Sequence, residues 1–179
     1  QDDLDIDFYG GDYFPYPGRT DLHGMIVPIY HRASDGMDSQ LAFSRDGLFW
    51  TRPERRAAHT MGEPGSGDEC GTHCWRSGLL ELPDGKWAVA HTGTSKLHNV
   101  REEYIEKLLP LRRPGQIRYA LWEPHRFCGV EAELEGRFTI PSIYRKDDEL
   151  RINYRCQPGG WIAAELLQRN PTMFQPDLD

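Results

Sequence analysis

The chain has 179 residues, 38% of them hydrophobic and 11% aromatic, enough to bury the core of one domain with part of a second but not two complete large ones. Its 28 acidic against 21 basic side chains leave a net charge of −7, a balance that disfavours nucleic acid, whose phosphates call for clustered Lys and Arg. No apolar run approaches the roughly 20 residues that cross a bilayer, and the opening QDDLDIDF lacks the basic start and apolar stretch of a signal sequence. Neither nucleic acid nor membrane is therefore expected as a partner.

Gly and Pro punctuate the whole chain, as in an all-β protein with many turns. From Gly24, GMIVPIYHR reads as an apolar strand, ASDGMD as a turn, SQLAFSRDG as a second strand, and LFWTRP as a third. Asp46-Gly47 predicts a tight hairpin turn, since that pair tolerates the positive φ angles such turns require, and Leu41, Phe43 and Phe49 are strand-type flanks. The basic stretch RPERR at 52–56 is short and carries a Pro, which fits a solvated loop.

After the Gly-rich loop GEPGSGDECGTHC the order recurs as SGLLELPDG, KWAVAHTGTS and GQIRYALWEP, with a second hairpin expected at Asp84-Gly85. The repeat unit of three or four short strands has the size of a propeller blade. The insertion before the last strand predicts a short helix over 99–110. Asn99 and Glu102 match a helix start, Val100, Tyr104, Leu108 and Leu109 fall near one face, and Pro110 stops it. Its charged residues Arg101, Glu102, Glu103 and Glu106 then face water.

Beyond Phe127 short strand-like segments are broken by EGR, KDDE and QPGG, with no counterpart of the Asp-Gly and Trp pairing. The change of texture places a domain boundary near Cys128 to Glu131. Residues 1–128 then read as propeller blades and 129–179 as the beginning of an incomplete β-sandwich. Cys70, His73 and Cys74 offer three zinc-type ligands in five residues, but no second half-site follows, so free thiols or one disulfide are the expected states and no metal or cofactor is expected.

Together, YFPY at 13–16, QLAFSRDGLFWTRP, the acid-bearing Gly-rich loop, the later WAVAHTGTSKLHN and the closing RFTIPSIYRKDDELRINYRCQPGGWIAAEL resemble the carboxy-terminal part of bacterial proteins related to glycoside hydrolase families 32, 43 and 68. A second match, the sialidase Asp box Ser-x-Asp-x-Gly-x-x-Trp, is one residue out, because Gly47 follows Asp46 directly. The first resemblance implies a five-bladed propeller followed by a β-sandwich, and cleavage of glycosidic bonds by carboxyl groups at the propeller axis. The family's first acid lies in a first blade, for which this chain has no equivalent. The isolated chain is accordingly expected to be inactive, and the alternative is a non-catalytic carbohydrate-binding or scaffold module.

The resemblance also marks residues. Asp68 and Glu69 precede Cys70 as the family's Glu-Cys pair does, which makes them the candidate catalytic carboxyls. His91 and His98 flank TGTSKL, where a histidine can hydrogen-bond a sugar hydroxyl, and His31, Arg32, Asp12 and Tyr13 border the first strand on the same principle. Trp75 and Trp87 are candidates for stacking on a sugar ring or for the core between blades. The expected partners are a carbohydrate and either the rest of a propeller or a second copy.

Overall fold

A computed structural model describes residues 2–74, 78–99, 115–140 and 149–167. The expected helix, beyond Asn99, lies outside the described residues, and among those described there is no helix. Eight strands form one mixed sheet that does not close on itself: β1 Ile6–Phe8, β2 Asp12–Pro15, β3 His23–His31, β4 Gly36–Ser44, β5 Gly71–Cys74, β6 Leu80–Glu81, β7 Trp87–Thr94 and β8 Gln116–Trp122.

The pairing resolves into two antiparallel meanders. In the first, β1 and β2 lie end to end along one edge of β3, and β4 pairs with the other edge. The break between them falls at Tyr9-Gly10-Gly11, where Gly10 takes a φ of +109° that a side chain would resist. In the second, β5 and β6 lie end to end along β7, whose other edge pairs with β8. Each meander thus has three strand positions, the first of them interrupted. A single parallel bridge, Met37 with Gly71, connects β4 to β5.

The two Asp-Gly pairs turn the chain differently. At Asp84-Gly85 the expected hairpin forms: the Gly85 N–H donates to Leu82 O (2.9 Å), the Leu82 N–H donates to Lys86 O (2.8 Å), and Gly85 sits at φ +83°. At Asp46-Gly47 the turn is wider. The chain closes only where Phe43 and Thr51 exchange backbone hydrogen bonds of 2.8 and 2.9 Å. Asp46 is the reason, because its Oδ1 accepts the Leu48 and Phe49 N–H groups at 2.8 and 2.9 Å, and the Trp50 indole donates to Gly47 O. Those bonds satisfy the backbone within the loop, and Phe49, expected on a strand, lies exposed.

Alternation along β3 and β4 divides the core. Ile26 and Leu41 on one face pack with Phe14 and with Val89 of β7, so this cluster joins the meanders. Val27, Ile29 and Ala42 on the other face pack against Ile6, Met25 and Trp50. An aromatic group closes the first cluster, with Phe127 at 5.2 Å from Trp122 and 5.4 Å from Trp87 between ring centroids.

The chain divides into two units, Gln1–Arg137 and Phe138–Asp179. In the second, the described residues 138–140 and 149–167 contain no strand, and the Gly160 N–H closes a turn on Gln157 O. The sandwich strands expected there are not found among these residues. Ile152 and Tyr154 supply a strand-like alternation, and both are exposed.

Candidate functional site

The Gly-rich loop holds the candidate carboxyls between the meanders. It is pinned by the Gly62 N–H donating to Asp68 O (3.1 Å), with Gly65 and Gly67 at φ of +87° and +92°. Asp68 then points inward, 5% exposed, where Arg118 Nη1 donates to its Oδ2 at 2.6 Å and the Ser66 hydroxyl donates to its Oδ1. Gly93 on β7 makes room for it, since a Cβ at that position would collide with Asp68. Arg118 reaches the site from β8 and also donates to Gln116 Oε1 and Ser66 O.

Glu69 follows with its side chain turned to the loop. Its Oε2 accepts the Gly67 N–H (2.8 Å) and the Ser95 hydroxyl (3.1 Å). Burial pushes its carboxyl upward, but hydrogen bonds from backbone N–H groups and Ser95 outweigh that, and the net effect lowers it below the ordinary range. A carboxylate held ionised suits a base or nucleophile, whereas a general acid needs its proton retained near neutral pH.

His91 lies on the core-facing side of β7, 2% exposed, paired in register with Arg118. Its ring meets that of His59, with centroids 3.9 Å apart and planes at 67°. Neither imidazole has a hydrogen-bond partner at its buried Nδ1. Burial lowers both proton affinities. For His59 the fall is to about 4, with the charges of His91 and Arg118 adding to it and Asp68 opposing it.

The remaining candidates are not part of this cluster. His98 lies past β7, where its Nε2 is 2.9 Å from the Tyr9 hydroxyl, beside a group in which Asn99 donates to Asp35 and to the Tyr30 hydroxyl. His31 ends β3 and pairs with Asp38 at 2.9 Å; burial raises the Asp38 carboxyl, and the His31 hydrogen bond partly offsets this. Arg32 forms an exposed ion pair with Asp7, Asp12 is buried, and Tyr13 hydrogen-bonds His23 on the surface. Trp87 is core, in the aromatic group with Tyr16 and Phe127, while Trp75 lies outside the described residues.

Two members of the cluster escaped the sequence reading. His59 belongs to an aperiodic stretch and is placed by its backbone, which bridges to Ser39 of β4. Arg118 was legible in principle, since the alternation of QIRYALW puts it on the face shared with Ala120 and Trp122. A groove of about 360 Å³ lined by Leu41, Glu54, Arg56, Thr60 and Phe127, among others, contains none of the expected site residues. Cys70, Cys128 and Cys156 are free thiols, and among the described residues no group of three or more His, Cys, Asp or Glu side chains is arranged to hold a metal ion. Comparison with protein-family models, curated proteins and solved structures finds no match.

Proposed function

We propose that this chain is part of a carbohydrate-active, glycoside hydrolase-like protein, to which it contributes two blade-like meanders and the carboxyl-bearing loop between them. The observation that carries this reading is the Gly-rich loop, which brings Asp68 and Glu69 to the junction of two successive meanders. In the complete protein, glycosidic bonds would be hydrolysed by carboxyl acid/base chemistry. Glu69, held ionised, suits the base or nucleophile, and Asp68 with Arg118 fixes the loop. A site of this kind draws its carboxyls from several blades, so the two meanders alone are expected to show no turnover.

A second reading, a non-catalytic carbohydrate-binding or scaffold module, is favoured by one observation. Both carboxyls are engaged in hydrogen bonds, Asp68 to Ser66 of its own loop and Arg118 of β8, Glu69 to Gly67 of the loop and Ser95 just past β7. The partner in either case is a carbohydrate, together with further blades or another copy.

The test compares this chain with an upstream-extended one against aryl furanosides, fructosides and pyranosides, with Glu69→Gln in each background. Hydrolysis by the extended chain, abolished by Glu69→Gln, supports the enzyme reading. Glycan binding without hydrolysis by either chain supports the module. Absence of both activities defeats the proposal.

A further inference from the structure

We infer that the facing His59 and His91 rings form an acid-sensitive latch between the two meanders. The pair spans the junction. His59 is tied to the first meander by its backbone, the Ser39 N–H donating to His59 O (3.1 Å) and the Ala58 N–H donating to Ser39 O (2.8 Å), whereas His91 stands in the middle strand of the second. Packed 3.9 Å apart, the rings act as apolar plates only while both are neutral.

A backbone hydrogen bond at Thr92 favours a proton on His91 and Asp68 favours one on either ring, but burial outweighs both and the net effect on each imidazole is downward. Both Nδ1 atoms are buried without an acceptor. The charged and titratable groups acting on His59 are His91 from β7, Arg118 from β8 and Asp68 from the Gly-rich loop. Two of the three repel an imidazolium. Asp68 would attract it, but its carboxylate is already held by Arg118 and Ser66. Among the described residues no other group supplies a counter-charge within the contacts of this pair.

The direction follows from linkage. The unfolded chain protonates His59 near 6.5, the folded chain only near 4, so above 6.5 the pair costs nothing and stability falls as pH drops from 6.5 towards 4. The difference between those two values corresponds to about a 300-fold rise in the unfolding constant from His59, and the lowered His91 adds in the same direction. The first part to release is the stretch carrying His59, held to β4 by three backbone bonds at Ser39.

Urea unfolding of the whole chain from pH 7.5 to 4.5, for the wild type and for His59→Phe with His91→Phe, tests the latch. The double variant keeps aromatic packing and removes the titration. On going from pH 7.5 to 4.5 the unfolding constant of the wild type should rise at least tenfold more than that of the variant, and amide protection at Ser39 and Ala58 should fall before that of central β3. Equal pH dependence in both proteins would overturn the inference. Should the variant not fold, NMR titration of the wild-type imidazoles decides: two histidines titrating below the rest uphold the latch, whereas all titrating together remove it.

Discussion

Gly24 stands opposite Phe43 in the β3–β4 register, and a methyl group at this position would enter the ring of Phe14, which is fully buried. Gly24→Ala should therefore cost roughly 1–3 kcal/mol by overpacking. Gly85 gives a contrast of mechanism, because nothing lies within 4 Å of its missing Cβ but its φ is +83°. Gly85→Ala is expected to cost about 1–2 kcal/mol through backbone strain alone. Urea denaturation of both variants separates the two causes. Relief of the Gly24→Ala defect by Phe14→Leu, with no such relief for Gly85→Ala, is the expected pattern. At the same scale, the two Asp-Gly pairs were equally visible in the sequence but not equal in outcome. Asp84 has Pro83 before it and lies between the two-residue β6 and the eight-residue β7, whereas Asp46 gathers the backbone of Leu48 and Phe49 and opens the turn.

Among the elements, β8 turns an apolar face outward. Its alternation buries Gln116, Arg118, Ala120 and Trp122 in part and turns Ile117, Tyr119 and Leu121 outward, at 78%, 58% and 51% exposure. An edge strand with an apolar outer face is a surface for association. Replacing Ile117 and Tyr119 by Lys should shift the chain towards monomer in sedimentation at high concentration, and an unchanged distribution would show that this face is not used. The strands themselves were legible, β3 and β7 from the apolar runs MIVPIY and WAVA and β8 from the alternation of QIRYALW. The interruptions within the edge strands were not. Gly10, at a positive φ, breaks pairing along β3 through local backbone geometry, which hydrophobic alternation does not encode. The candidate site was half visible: Asp68, Glu69 and His91 came from local motifs, whereas His59 reaches His91 only through tertiary pairing with Ser39.

Across the first unit as a whole, the meanders are unequally joined. Side chains of Phe14, Ile26, Leu41 and Val89 fill the space between them. Backbone hydrogen bonds join them at one end, where the Met37 N–H donates to Cys70 O (3.2 Å) and the His98 N–H donates to Asp35 O (3.0 Å). The Gly-rich loop that follows His59 has exposed residues at Glu63, Pro64 and Gly65.

The apolar cluster shared by the meanders bears on the order in which the protein assembles. Within the first meander β3 and β4 pair across a short turn, and such contacts form quickly because little loop entropy is lost in closing them. Docking of one meander on the other is then the late step, driven by the shared apolar cluster rather than by ladder pairing. Two polypeptides, residues 1–64 and 65–137, should accordingly recover the β-sheet circular dichroism of the uncut unit when mixed, though each alone is weakly structured. Recovery should also slow in proportion to dilution, as a bimolecular docking step requires. Rates independent of concentration would mean that the order is reversed.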